Sequence, residues 1–234
     1  MKKKLIIILC LTVLAFGTGY RYIRPQVNTV GLVGHYKLWA GLTSAALVFD
    51  YSLNGNDGVV SGSDIEPVYP GFSFNNSDDL INCGNDSSLQ FSTTFSVSAW
   101  INATSLTNFD SIVTKTDAGF NNGWSVYWNS NVIRFVINAG ANIATVAFTE
   151  TGVWHHVAVT YDGATMRIYL DGVAGTPKSF AGSVTDNTND VQIGLRAGGS
   201  AWDGKIGEVM IFNVDKAAAE IKSIYEITRW RYGV

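Results

Sequence analysis

The clearest pattern of apolar and polar positions lies in residues 154–173, WHHVAVTYDGATMRIYLDGV. Met166, Ile168 and Leu170 alternate there with Thr165, Arg167, Tyr169 and Asp171. A period of two puts one face of a strand into a core. Val157, Val159 and Tyr161 alternate with Ala158 and Thr160 just before it and predict a second strand. Asp162-Gly163 separates the two strands and Asp171-Gly172 follows them. Asp-Gly suits turns whose backbone needs positive φ, because Gly has no Cβ to clash. The stretch therefore predicts a meander of three strands that stops near Pro177.

The same alternation recurs along the chain. Residues 95–101 set Phe95, Val97, Ala99 and Ile101 against Ser96, Ser98 and Trp100. A first strand lies in 31–40, with Tyr36 and Leu38 on one face, and 71–84 reads as strand, turn, strand. Further strands are predicted at 111–115, 123–129, 132–138, 143–148, 190–196 and 205–213, with Asn and Gly in the gaps. One helix is expected near the C-terminus. Asp215 stands where a cap would, and Ala217, Ile221, Ile224 and Tyr225 recur at helical spacing. Strands at this density imply an all-β protein, an antiparallel two-sheet jelly-roll sandwich of about a dozen strands with one short C-terminal helix.

Composition narrows this picture in three ways. At 234 residues, 47% of them hydrophobic, the chain suffices for one sandwich with a substantial core. The formal charge is −3 and the basic residues are scattered outside the two ends, which argues against a nucleic-acid partner. Of the two cysteines, Cys10 lies in the N-terminal apolar run and Cys83 stands alone in the domain, where it reads as a small buried residue.

Lys2-Lys3-Lys4 precedes a short apolar run over residues 5–16, followed by small residues at Gly17 and Gly19. That is the layout of a secretory signal, and the run is shorter than the roughly 20 residues that span a bilayer core. Removal is expected after Gly17 or Gly19, while Arg21 and Arg24 just beyond the run resist export and leave an uncleaved membrane anchor as the alternative. Residues 1–24 are thus expected to be a signal or an anchor, with the domain at 31–228 in a secreted or cell-surface, extracytoplasmic location.

Several stretches resemble a known family. The segment WHHVAVTYDG…IYLDGV resembles the central hairpin of laminin-G-like domains within the concanavalin A-like jelly rolls. FSVSAWI at 95–101, GKIGEVMIFNVDKAAAEI at 204–221, GLVGHYKL at 31–38 and NGNDG at 54–58 extend the similarity from about Gly31 to Ile227. The resemblance implies a recognition fold and leaves the ligand open.

Candidate chemistry is sparse. His155 and His156 are adjacent on a strand, point to opposite faces and cannot act as a pair. Related glucanases carry a Glu-x-Asp-x-x-Glu run along one strand, and this chain has none, nor a Gly-x-Ser-x-Gly elbow or HExxH. The expectation is a non-enzymatic module. Trp124, Tyr127, Trp128 and Trp202 sit beside Gly and Asn and are the candidate rings for a sugar, whose C–H faces pack on aromatics. Trp202, in AGGSAWDG, is the one expected to be exposed, whereas Trp124, Val126 and Trp128 also alternate as a core face would. Carbohydrate is the leading ligand class, and a protein partner remains open. The alternative is a structural or interaction protein, a surface, filament or virion component that uses the sandwich as a scaffold.

The resemblance also implies a structural calcium ion tying an early Asp/Asn loop to the late strand. By motif position its ligands would be Asp50, Asn56 and Glu208, with Asn75 as a fourth candidate. Glu208 lies among apolar neighbours in KIGEVMIF and would need a metal or a hydrogen-bonding partner. Many relatives have an acid directly before that glutamate, where this chain has Gly207.

Overall fold

A computed structural model of the chain describes residues 25–40, 47–138, 142–185, 188–196 and 199–234. Residues 1–24, with Cys10 and the expected signal or anchor, lie outside the described residues. Two antiparallel sheets face each other, as the alternation predicts. In the first, the described strands run in the order Val173–Ala174, Thr165–Leu170, His155–Tyr161, Phe95–Ala103, Asp203–Phe212, Gly71–Asn75, Glu66–Val68. Leu32–Lys37 also pairs with Asp203–Phe212. In the second the order is Ile143–Ala147, Val132–Ile137, Trp124–Asn129, Asp110–Lys115, Gln192–Ile193, Leu80–Asn82, Gly58–Ser61, Leu47–Val48.

The core between the sheets is built from the faces the sequence marks as apolar. Phe95, Val97, Ala99 and Ile101 meet Met166, Ile168, Val157 and Val159 from the first sheet and Trp124, Val126, Ile133 and Phe135 from the second. The meander turns as its Asp-Gly pairs require. Asp171 and Gly172 both have positive φ, 51° and 76°, the paired left-handed geometry of a tight hairpin. Asp162 accepts from the backbone N–H groups of Ala164 and Thr165 at 2.8 and 2.7 Å.

The helix spans Ala218–Thr228 and lies on the outer face of the first sheet. Its cap differs from expectation. Ala217, not Asp215, holds the N-cap position, and the Glu220 carboxylate reaches back to accept from the Ala217 N–H at 3.0 Å. The helix starts later because the Lys216 N–H is bound by the Ser96 hydroxyl at 2.8 Å, which fixes the entering chain to the sheet.

The late strand also departs from simple alternation. Ile206 pairs with Ile101 and Val209 with Ala99, so Gly207 and Glu208 together oppose Trp100 in a β-bulge. The extra residue turns Glu208 and Met210 to the outer face while Ile206 and Val209 both stay inside.

Candidate functional site

The two sheets present very different outer faces. On the first, Ile221 and Ile224 of the helix pack on Ala158, Tyr169, Met210 and Phe212. The residues after the helix complete the roof. Tyr232 stacks on Trp100 with ring centroids 4.2 Å apart, and the Trp100 indole N–H donates to the Thr228 hydroxyl at 2.9 Å.

The histidine pair is divided between environments as strand geometry demands. His156 is fully buried beside Trp100 and Tyr225, and neither ring nitrogen has a hydrogen-bond partner. Burial pushes it down to about 4, so it is neutral at physiological pH. His155 packs edge-on against Phe148 and bonds Asp171 at 2.8 Å and Glu150 at 3.0 Å. The Asp171 hydrogen bond raises the His155 pKa above its ordinary value.

The residues suggested for calcium do not form one site. Glu208 is 5% exposed, and its two oxygens are held by His35 at 2.7 Å and Arg231 at 2.8 Å. Burial works to raise its pKa, yet these two partners hold it below the usual carboxylate range. Asp50 accepts from the backbone N–H groups of His35, Ser52 and Asn56 and from the Ser52 hydroxyl, at 2.7–3.1 Å. The Asn56 amide donates to the Val33 carbonyl and the Ser88 hydroxyl. Asn75 pairs with Asp203 across the first sheet and bonds Asp64 and Asp78 instead. These side chains as arranged do not fit a calcium ion, because its oxygen ligands are already engaged by donors. Gly207 has a local reason as well. A Cβ there would lie 2.5 Å from the Tyr232 hydroxyl oxygen, which itself accepts from the Glu208 N–H at 2.7 Å.

The aromatic candidates need a larger correction. Trp202 is fully buried rather than exposed. Its backbone is tied between Gly194 and Asn76, and its ring enters the core. Trp124 and Trp128 also face inward, at 1% and 6% exposure, and the Trp128 indole donates to the Phe148 carbonyl. These three rings form core, not a sugar platform. Tyr127 does point to the outer face, but Phe120 and Phe109 stack over it at 4.7 and 6.0 Å and leave it 4% exposed.

Among the described residues no α-helix packs on the outer face of the second sheet, which contains a cleft of about 540 Å³. Val59 and Ser61 from one strand and Asn82 from its neighbour form the floor. Asp57, Gly84, Asp86 and Asp190 rise around it from loops. Their geometry is fixed locally. The Asn82 amide donates to Asp190 at 2.7 Å, and its carbonyl accepts from the Gly84 N–H at 2.8 Å. One Asp57 oxygen accepts from the Asp50 N–H at 2.8 Å. Asp86 caps a short 3-10 turn, accepting from the Ser88 N–H at 2.8 Å, and this bond holds its carboxyl below the usual range. The buried Lys115, outside the lining, bridges the Asn85 side chain and the Asn189 carbonyl and so ties together the two loops that carry Asp86 and Asp190. Cys83 borders the cleft with its thiol turned into the core, where burial pushes it up to about 12 and leaves it unreactive.

Asn56 also lines the cleft, its amide engaged by Val33 and Ser88, and the other polar lining groups are missing from the sequence-derived site candidates. The signal available was the run of Asn, Asp and Gly at 54–58 and 82–86. Nothing local marks Asp190, which lies 108 residues from Asn82.

Known proteins are similar in fold and distant in sequence. Domain 4 of AbnA, an extracellular GH43 arabinanase from Geobacillus stearothermophilus solved in complex with arabinotriose, has a TM-score of 0.65 at 18% identity, covering 83% of this chain and 98% of that one. The binding domain of Paraclostridial Mosquitocidal Protein 1 gives 0.62 at 16%, covering 83% and 52%. Botulinum neurotoxin type C, whose cell entry depends on interaction with two ganglioside molecules, gives 0.61 at 17%, covering 84% and 51%. The chain thus spans about half of each toxin chain. At such identities the likeness concerns the fold alone. No curated protein matches this chain in sequence. A family model described as Laminin_G_3, of the concanavalin A-like lectin/glucanases superfamily, matches residues 75–222. With well over half its length covered by that model and the sandwich in place, the chain belongs to the laminin-G-like family of the concanavalin A-like lectins and glucanases.

Proposed function

We propose that the chain is a non-catalytic carbohydrate-binding module whose ligand lies in the cleft on the second sheet. The observation that carries this is the cleft itself. Its volume falls in the range of about 300–1,000 Å³ usual for small-ligand sites. Oriented Asn and Asp groups converge on it, and Val59, 54% exposed, offers an apolar surface to sugar C–H groups. Carboxylates accept from hydroxyls, and an amide serves as donor and acceptor. Asp57, Asp86 and Asp190 around one space repel an anionic ligand, so the reading is a neutral oligosaccharide. The arabinotriose complex of the AbnA domain supports the ligand class. Residues 1–24 support export, as a cleaved signal or a retained anchor. The engaged side chains of Asp50 and Glu208 support a fold that needs no calcium.

A glycan array with the full chain and the Asn82→Ala variant tests the proposal. The expected result is binding to neutral glycans that the variant loses. Absence of glycan binding, with self-assembly of the purified chain, would favour the display scaffold instead.

A further inference from the structure

A second surface lies at the edge of the first sheet, remote in chemistry from the acidic cleft. Asp50 bridges to Tyr36 and turns inward at 8% exposure, while its alternate neighbours Phe49, Tyr51 and Leu53 turn outward at 54%, 41% and 94%. Exposed apolar side chains scattered singly need no explanation, but a contiguous group marks a contact surface. This group continues through ring contacts. Phe49 meets Tyr51 at 6.4 Å, and the Lys37 ammonium lies 4.2 Å from the Tyr51 ring and 5.9 Å from Trp39. Arg231 lies over the other side of the series, 4.2 Å from Trp39 and 5.1 Å from Trp230, which is 55% exposed. Lys37 forms no ion pair among the described residues.

Tryptophan and tyrosine rings beside Lys and Arg are the composition that settles at a membrane–water boundary, where rings sit among headgroups and cations meet anionic lipid. The sequence supplies a reason for the domain to be there. Residues 5–16 are apolar behind Lys2-Lys3-Lys4, and the edge strand Leu32–Lys37 follows them closely in sequence. A run held in the bilayer would raise the concentration of this edge at its surface.

We propose that the edge formed by Phe49, Tyr51, Leu53, Trp39 and Trp230 around Lys37 and Arg231 docks on an anionic lipid bilayer. Leu53 enters the interface, the rings lie at headgroup depth, and Lys37 meets lipid phosphate or carboxylate. This contact uses one side of the 49–57 loop, whose Gly55, Asn56 and Asp57 line the saccharide cleft on the other.

The test uses the full chain on vesicles whose lipids carry a bromine quencher near the headgroup, with tryptophan emission as the readout. Residues 1–24 contain no tryptophan, so their insertion is silent, and Trp100, Trp124, Trp128 and Trp202 are buried, which leaves the half-buried Trp154 as a background beside Trp39 and Trp230. Quenching is expected on phosphatidylserine-containing vesicles and should be weaker on pure phosphatidylcholine. Lys37→Gln should weaken the docking roughly fivefold, the equivalent of about 1 kcal/mol per basic residue near an anionic surface. Leu53→Asp, at a fully solvated position, should abolish it. Unquenched emission from vesicle-bound chain, failure to bind, or quenching unchanged in both variants would overturn the proposal. So would quenching that follows added neutral glycolipid rather than phosphatidylserine.

Discussion

The two outer faces of this sandwich carry different residues for different ends. On the first sheet, the strand Phe95–Ala103 is buried on both sides, with Ser96, Ser98 and Trp100 sealed beneath the helix and the C-terminal turn. On the second sheet, Phe109 and Phe120 cover the outer side around Tyr127, but the strands Gly58–Ser61 and Leu80–Asn82 are filled on one side only, and their other side holds Asn82, Ser61 and Val59 in an open cleft. A covered face stores stability, because every group on it is packed or hydrogen-bonded. An open face can be altered at little structural cost, which leaves it available for a ligand. The comparison predicts that substitutions separate cleanly into stability effects on one face and binding effects on the other.

The largest effect should come from the covered face at Glu208. Glu208→Ala leaves Arg231 and His35 without their carboxylate in a buried site, and should cost about 3–5 kcal/mol in chemical denaturation. A loss below about 1 kcal/mol would mean that water replaces the pair and that the face is less sealed than its geometry indicates.

Next comes His156. Its pKa is near 4 in the fold against about 6.5 in the unfolded chain, so between those values the unfolded state binds more protons. Stability should therefore fall as pH drops from about 6.5 to 4 and level off below, by up to about 3 kcal/mol. His156→Phe removes the titrating group from its apolar surroundings and should flatten that window in melts taken across pH. Glu208 acts further down. Its pKa is depressed, so its contribution is present above the ordinary carboxylate range and is lost as pH falls through its folded value.

A smaller loss is expected at the bulge. Gly207→Ala sets a methyl group against the Tyr232 ring and should cost about 1–3 kcal/mol, with Tyr232 fluorescence or its NMR signal shifted. The smallest effect belongs to the proposed absence of calcium. Melting temperature should be the same with calcium and with chelator, and a rise on adding calcium would show that the Asp50 loop rearranges to take the ion.

Much of the fold is legible in the sequence, and the reasons are physical. Residues 95–101 and 154–173 alternate strictly, so a period of two suffices to place their faces. The bulge breaks that rule. Period alone puts Glu208 on the face of Ile206, and only the pairing of Gly207 and Glu208 against Trp100 moves it outward, toward His35 and Arg231. Those partners come from the first strand and the C-terminal turn, at sequence distances no local pattern spans. Trp202 misleads for a related reason. Its Gly and Ser neighbours suggest an exposed loop, but the hydrogen bonds to Gly194 and Asn76 fold that segment inward. The cleft is least legible, because Asn82 and Asp190 carry no motif and meet only when the Gln192–Ile193 strand pairs with Leu80–Asn82.

The most direct test of the binding face is calorimetric titration of neutral pentose and hexose oligosaccharides into the full chain and into Asp190→Ala, with melting temperature measured on both. The Asp190 carboxylate is one of the charged acceptors at the cleft, and hydrogen bonds to charged groups are worth about 1.5–3 kcal/mol. Binding by the unaltered chain, weakened about tenfold or more in a variant whose melt, lowered by the lost Asn82 hydrogen bond, still shows a folded protein at the titration temperature, is the predicted result. An oligosaccharide that binds the variant equally well, or no neutral oligosaccharide binding at all, would contradict it.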